Sequence, residues 1–298
     1  MFGKYYFAII ILMKKILFML VCINTFILAN IKTVVSILPE KTFVEAIGGQ
    51  KVDVALMVLP GNSPHTYEPK PSQMRDVANA QLYFAIGVEF EKVWLPKFKD
   101  LNPTLKVIDL SRGIEKLPMA TAHAHEGEAA DGHHDSGTLD PHIWTSPENV
   151  KKIARHIYEA LVSADPQNRD YYQHNYDAFL QKVSQTDETI RSLLSKRPKG
   201  TSFMVFHPSW GYFARTYGLV QLPVEIEGKA PKPRELIALI KEAKAQHVSA
   251  IFTQPEFSDS TAKVIADELH IPVIKVSPLA PEWSENLIRI AKAIAGAK

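Results

Sequence analysis

Two series of short apolar runs, each alternating with helical patterns, flank one long helical stretch in this sequence. The first series extends from Ile31 to Leu110 and the second from Thr201 to Val276. Apolar runs of strand length that alternate with helices are typical of a parallel sheet with helices on its faces. The stretch between them, from Gln167 to about Lys196, would reach about 45 Å as a helix. We therefore predict an α/β fold of two lobes, each a short, mostly parallel sheet flanked by helices, joined by one long rigid helix.

The same patterns predict the positions of the strands and the domain boundaries. The expected strands are Ile31–Leu38, Val52–Leu59, Gln81–Ile86, Leu105–Leu110, Thr201–Phe206, Val220–Ile226, Ala250–Thr253 and Val273–Val276. Pro147 opens a helical pattern, and residues 120–138 have no apolar periodicity. The predicted division is a signal peptide at 1–29, an N-terminal lobe at 30–146 with a loop at 120–138, a helical region at 147–198 that includes the bridging helix, and a C-terminal lobe at 199–298.

The first 29 residues have the pattern of an export signal. They contain three lysines and no acidic residue, and an apolar run, Ile16–Leu28, ends at the small residue Ala29. This pattern is typical of a cleaved secretory signal, and the run is shorter than the roughly 20 apolar residues of a membrane span. An uncleaved anchor is the alternative, because Phe2–Leu12 is also apolar. Met13, directly before Lys14 and Lys15, is a second possible translational start, which would leave out the first dozen residues. We expect export to the periplasm.

Charge and cysteine usage limit the partners and the chemistry. The whole sequence has a net charge of +2, but without the three lysines of the signal 31 basic residues face 32 acidic ones, a net charge of −1. This balance gives no reason to expect a nucleic-acid partner, which would need a clustered basic face. The single cysteine, Cys22, lies inside the signal, so the exported chain would have neither a disulfide nor a thiolate metal ligand.

Three of the 11 histidines follow strand or loop signals with distinctive neighbours. His65 lies in a Gly/Asn/Pro-rich loop after an apolar run, and His207 directly follows another such run. His142 precedes a predicted helix, and Asp140, two residues away, can accept a hydrogen bond from its imidazole. Each histidine alone is also explained as a surface or packing residue. Together they are candidates to converge in the cleft between the lobes, since ligands bind beyond the carboxyl ends of strands.

The residue types of this candidate site favour zinc. Three neutral imidazoles in a chain without thiolates suit Zn²⁺, and Ni²⁺ or Cu²⁺ also accept such ligands. A Mn²⁺ or Fe²⁺ site would include several carboxylates.

Four ordered segments resemble those of the metal-specific solute-binding proteins of ABC importers, the cluster A-I or class III binding proteins. They are Gly61–Ser72, Asp140–Pro147, Phe206–Phe213 and Thr253–Phe257. The resemblance covers essentially the whole chain after the signal. It implies two lobes bridged by a long helix, with the metal between them and His65, His142 and His207 as its ligands. It also implies an ABC permease in the inner membrane as partner, and we expect a monomer.

The resemblance also distinguishes the metal and leaves one ligand open. Manganese binders of this group typically carry a carboxylate where this chain has His207, so the zinc branch is favoured. Many members supply a fourth ligand from an Asp-Pro-Leu motif, where this chain has Ser277-Pro278-Leu279. A water molecule is the simplest fourth ligand, since zinc accepts three protein ligands and water. Glu68, Glu227 or a histidine of the 120–138 loop are the alternatives.

The loop at 120–138 is rich in histidine and acidic residues. Short tracts of this kind often bind metal, and we predict a weak auxiliary zinc-collecting segment formed by His123, His125, His133 and His134. The alternative is a solvated linker. The remaining candidates, His156, His174, His247 and His270, lie in helical patterns and are expected to be surface or packing residues.

Two other functions share some of these features. A zinc hydrolase would also combine three histidines with a water, but the sequence has no His-Glu-x-x-His or Gly-x-Ser-x-Gly motif. An adhesin or a metal-chelate binder of the same fold is the second alternative. A chelate binder would use basic and aromatic residues in place of three histidine ligands. The chain is therefore predicted to be a zinc carrier and not an enzyme.

Overall fold

The computed structural model describes residues 30–120, 139–226 and 229–296. From Ile31 onward the chain forms one compact unit. Within the described residues it contains two four-stranded sheets, and every strand pairing in them is parallel. A long helix links the two lobes, so the predicted α/β fold is confirmed.

The N-terminal sheet has the strand order β2-β1-β3-β4. Its β-branched central strand β1 pairs with β2 on one side and β3 on the other, in a register that sets Ile31 opposite Val52. Both faces of β3 are buried, as expected for a parallel sheet covered by helices. The elements are β1 (Ile31–Val35), α1 (Leu38–Gly48), β2 (Val52–Leu56), α2 (Pro71–Asn79), β3 (Leu82–Ala85), α3 (Glu89–Leu101) and β4 (Lys106–Asp109).

The C-terminal sheet repeats this arrangement, with the order β6-β5-β7-β8. In both sheets the strand order reverses beside the first strand of the series, the place where ligands bind in open α/β sheets. The elements are β5 (Ser202–Val205), α6 (Gly211–Tyr217), β6 (Val220–Pro223), α7 (Pro233–Ala245), β7 (Ile251–Thr253), α8 (Ser260–Leu269), β8 (Val273–Lys275) and α9 (Trp283–Ala295).

Two helices connect the sheets: α4 (Pro147–Ala164) and α5 (Arg169–Leu194). The 26 residues of α5 extend about 39 Å at 1.5 Å per residue. Near its start, Asn175 donates to the carbonyl of Ile47 in the N-terminal lobe at 3.1 Å. Farther along, Thr186 donates to Ser284 of α9 at 2.8 Å. Helix α5 therefore contacts both lobes.

The structure differs from the sequence prediction at the ends of several elements, and it contains one helix that was not predicted. The apolar run predicted as strand Ile31–Leu38 leaves the strand after Val35, because its last residues turn into α1. Helix α5 is shorter than predicted at both ends, and a 3₁₀ turn, Pro166–Asn168, precedes it. Helix α3 is absent from the prediction. It contains Pro96, which removes one helical hydrogen bond, but aromatic side chains four residues apart stack along it.

Apolar packing joins the two lobes. One buried cluster extends from β1 through α4 and α5 to Phe203, Phe252 and the buried face of α9. A second, smaller cluster lies on the other face of the C-terminal sheet, under α7 and α8. None of the helices in the described part of the chain is long and apolar enough to cross a membrane.

Candidate metal centre

The fold places the three predicted histidines at the carboxyl ends of strands or in loops beside them. His65 lies in the loop between β2 and α2, and His207 comes two residues after β5. His142 precedes a 3₁₀ turn, Ile143–Thr145, that leads into α4. His142 and His207 are buried, whereas the side chain of His65 is 34 % exposed.

The three imidazoles meet in space, with His207 in the middle. Its ring centroid lies 5.4 Å from that of His65 and 5.3 Å from that of His142, and both pairs are nearly perpendicular. A metal bound tetrahedrally at about 2.0–2.1 Å from each imidazole nitrogen brings two ring centroids to about 5 Å. The spacing of the rings therefore suits a shared metal.

The side chains around the cavity do not form a complete set of metal ligands. Within residues 30–120, 139–226 and 229–296, no three His, Cys, Asp or Glu side chains are arranged as a complete metal-binding group. His65 Nδ1 lies 3.4 Å from Glu89 Oε2, which leaves Nε2 as the nitrogen that could bind a metal.

Two of the imidazoles each have a carboxylate oxygen within hydrogen-bond distance of Nδ1. Asp140 Oδ1 lies 2.7 Å from His142 Nδ1 and also accepts the backbone N–H of His142 at 2.9 Å. Glu225 Oε1 lies 2.7 Å from His207 Nδ1. When Nδ1 carries the donated proton, Nε2 keeps its lone pair for a metal, and the carboxylate makes the imidazole more basic.

The Nε2 atom of His207 is buried and has no hydrogen-bond partner among the described residues. Buried polar atoms are nearly always paired, so such an atom needs an explanation. A bound metal ion would use this lone pair.

The histidines line a cavity of about 30 Å³, room for one ion or water molecule. Phe257 stacks on His207, with ring centroids 5.2 Å apart and an interplanar angle of 26°. Two carboxylates, Glu89 and Glu256, also line the cavity. The remaining walls are mostly apolar and include Val88, Trp144, Pro278 and Leu279.

Burial favours the neutral form of His65. Desolvation lowers its pKa below the usual value, and the nearby His207 adds to this effect, whereas Glu89 and Glu225 oppose it. A histidine must be neutral at the ligating nitrogen to bind a metal, so the lowered pKa prepares His65 for that role.

The structure describes only some of the residues that were considered for a fourth ligand. Glu68 is exposed and does not line the cavity, and Ser277 lies behind the lining, where its hydroxyl donates to Glu256 at 3.2 Å. Glu227 and the auxiliary loop histidines His123, His125, His133 and His134 lie outside the described residues.

Sequence reasoning identified the Asp140 partner but not Glu89, Glu225 or Glu256. Asp140 is two residues from its histidine, so the pairing is visible locally. Glu225 is 18 residues from His207 and follows a different strand, so no local pattern connects them. Glu256 lies in the recognised Thr253–Phe257 segment, which was the available signal.

Comparison with known proteins identifies the family of the chain. A profile of the family described as "Zinc-uptake complex component A periplasmic" matches residues 33–296. The chain is 29 % identical over 244 residues to the high-affinity zinc uptake system protein ZnuA of Bacillus subtilis, covering 80 % of this chain and 76 % of that protein. It is 25 % identical to the manganese ABC transporter substrate-binding lipoprotein PsaA of Streptococcus pneumoniae, covering 86 % of this chain and 83 % of that protein.

A solved structure has the same fold over most of the chain. The crystal structure of a ZnuA protein is 40 % identical, with a TM-score of 0.81, and the match covers 90 % of this chain and 99 % of that one. The chain belongs to the periplasmic zinc-uptake complex component A family, whose members are metal solute-binding proteins of ABC importers.

Proposed function

We propose that the protein binds Zn²⁺ through His65, His142 and His207 and delivers it to the permease of an ABC importer. One observation carries this proposal: three imidazoles from both lobes converge on one small cavity. Members of the family are transport binding proteins and not enzymes, so the hydrolase alternative is set aside.

Zinc is favoured over manganese by the chemistry of the ligands. Imidazole nitrogens suit Zn²⁺, whereas Mn²⁺ prefers carboxylate, carbonyl and water oxygens. In the order of divalent affinities, Zn²⁺ also binds nitrogen sites more tightly than Mn²⁺. One relative is named for manganese and another for zinc, so the preference for zinc rests on the three imidazoles of this chain.

The protein would work outside the inner membrane. We propose that residues 1–29 are removed on export and that the exported chain acts as a monomer in the periplasm. Capture would draw the three imidazoles onto the ion, and contact with the permease would separate them again. No observation on the described residues favours adhesion or chelate binding.

The loop of His123, His125, His133 and His134 is proposed as a weak zinc-collecting segment. Fixing the backbone of a residue in one conformation costs about 1–2 kcal/mol, so we expect zinc binding by this segment to be weak and transient. Its deletion should remove weak zinc without changing the affinity of the main site.

Competitive metal titration of the purified, metal-free exported protein tests the proposal. We expect one tight Zn²⁺ per chain, bound on the order of 100-fold or more tightly than Mn²⁺. A variant lacking residues 120–138 serves as the control and should keep this tight ion. A preference for Mn²⁺, or the absence of any tight ion, would contradict the proposal.

A further inference from the structure

The carboxylates around the cavity divide into two groups by what they contact. Asp140 and Glu225 each lie 2.7 Å from the Nδ1 atom of one imidazole. Glu89 occupies the same place beside His65, at 3.4 Å. Each histidine therefore has its own carboxylate partner. Glu256 is the one carboxylate of the cavity lining, within the described residues, that contacts none of the three imidazoles.

Strand pairing places Glu256 next to His207. β5 and β7 are paired in parallel, so the loops that leave their carboxyl ends run side by side. His207 follows β5 and Glu256 follows β7. Phe257, the next residue, stacks on the His207 ring and fixes this loop against the site.

Ser277 holds one oxygen of Glu256. It follows β8, which pairs with β7, and its Oγ donates to Glu256 Oε1 at 3.2 Å. The same Oγ accepts the backbone N–H of Leu279 at 3.1 Å, and the Ser277 carbonyl accepts from Asn286 at 2.7 Å. The hydroxyl is thus oriented to donate its proton to the carboxylate. Glu256 Oε2 has no hydrogen bond or ion pair with any residue the structure describes.

We propose that Glu256 is the fourth protein ligand of the metal, through Oε2, and that Ser277 is its positioning residue. This inference rests on the proposed function, because it adds a ligand to the three histidines. Three neutral imidazoles and one carboxylate complete a tetrahedral shell. They also place one negative charge against the divalent ion inside a mostly apolar cavity, where charge pairing is stronger than in water.

Four single variants of the purified exported protein test this assignment. Glu256→Gln keeps the shape of the side chain and removes its charge. Because it alters a direct ligand, it should weaken Zn²⁺ binding by at least the roughly 10- to 100-fold that the loss of an outer-shell partner causes. Glu68→Gln, at an exposed carboxylate outside the cavity, is the matched control and should bind as the wild type. Ser277→Ala should weaken binding by a smaller factor, and Ser277→Thr, which keeps the hydroxyl, should restore it.

X-ray absorption of the zinc-loaded proteins and visible absorption of their Co²⁺ forms report the ligands directly. We expect three nitrogens and one carboxylate oxygen in the wild type, with a changed Co²⁺ spectrum in Glu256→Gln only. Thermal unfolding of the metal-free variants shows whether each one is folded. Wild-type zinc affinity and an unchanged Co²⁺ spectrum in folded Glu256→Gln would overturn the inference.

The variant His65→Ala distinguishes a failure of this inference from a failure of the proposed function. If Glu256→Gln has no effect while His65→Ala abolishes tight binding, the histidine site stands and the fourth ligand is not Glu256. If His65→Ala also retains tight zinc, the metal site itself is misassigned.

Discussion

Ser36 joins two buried carboxylates at the carboxyl end of β1. Its backbone N–H donates to Glu40 at 3.0 Å, and its hydroxyl donates to Glu91. The same hydroxyl lies 2.7 Å from the Tyr83 hydroxyl. Glu91 also accepts the backbone N–H groups of Ile86 and Gly87. The network thus holds the segment that leads from β3 to the cavity-lining end of α3.

Burial changes the protonation of this pair. The pKa of Glu91 is raised to about 7, chiefly by desolvation and to a smaller extent by the charge of Asp109, while its hydrogen bonds oppose the rise. Desolvation also raises the pKa of Glu40 well above its usual value, and the charge of Glu91 adds to this. One oxygen of Glu40 is buried and has no hydrogen-bond partner among the described residues, an environment that disfavours the charged carboxylate.

We predict that Glu40→Gln gains stability relative to the wild type as the pH rises from about 5 to about 8. A raised carboxyl pKa means that the folded state binds more protons than the unfolded state above the unfolded pKa, so the wild type loses stability as pH rises through the folded pKa. Gln keeps an acceptor for the Ser36 N–H but cannot ionise. Thermal unfolding of the metal-free proteins measures the difference.

Glu45→Gln, at an exposed position of the same helix, is the control for this experiment and should track the wild type at every pH. If Glu40→Gln and the wild type differ by the same amount at pH 5 and pH 8, the pKa of Glu40 is not raised in the folded protein.

At the scale of the elements, four helices are followed by a residue with left-handed backbone, which is glycine in two cases and histidine in the other two. Helices α6 and α9 end at Gly218 and Gly296, with φ values of 66° and 65°. Helix α8 is followed by His270 at φ 55°, and His247 after α7 has φ 51°. A side chain in this left-handed region costs about 1–2 kcal/mol, whereas glycine adopts it freely.

We predict that His270→Gly raises the free energy of unfolding by about 0.5–1 kcal/mol, because part of this strain is offset by the greater flexibility of glycine when unfolded. Gly218→Ala is the opposite change, at a position where the added methyl group would approach only Lys199, at 3.8 Å, and it should lower stability by about 1 kcal/mol. Urea unfolding of the metal-free proteins measures both. A loss of stability in His270→Gly would show that its side chain contributes more than its backbone costs.

Local patterns predict elements well and their ends less well. The β-branched and apolar runs predict the strands because burial on both faces requires them. The end of β1 cannot be predicted from the sequence, because Ser36 and Ile37 are as buried as the strand itself. The network that turns the chain there comes from Glu40 and Glu91, and only the fold brings Glu91 to Ser36.

At the scale of the whole molecule, side chains tie the lobes together close to the metal site. Trp144 Nε1 donates to the carbonyl of Pro278 at 2.7 Å, and Trp283 Nε1 donates to the carbonyl of Trp144 at 2.8 Å. Tyr212 donates to the carbonyl of Asp140 at 3.0 Å. These buried bonds and the shared apolar core resist a wide hinge motion.

We predict that zinc binding shifts the lobes by only about 1–2 Å, the scale of displacements between packed helices. Small-angle X-ray scattering of the metal-free and zinc-loaded protein should therefore give indistinguishable radii of gyration. A clear contraction on adding zinc would mean that the interlobe bonds break during capture.

The site could be predicted only as far as its local signals reach. His65, His142 and His207 each stand in a recognisable segment, and Asp140 is close in sequence to its partner. Glu225 and Glu256 enter the site from neighbouring strand ends, a proximity that follows from the strand order β6-β5-β7-β8 and that no single segment encodes.

The central claim is that His65, His142 and His207 together bind the transported metal. The most direct test is the metal content and zinc titration of the exported protein beside His65→Ala/His207→Ala, with His174→Ala/His247→Ala as a control that removes two exposed histidines. We predict one tight zinc in the wild type and the control, and none in the first variant while it remains folded. Equal tight binding by all three proteins would contradict the three-histidine site.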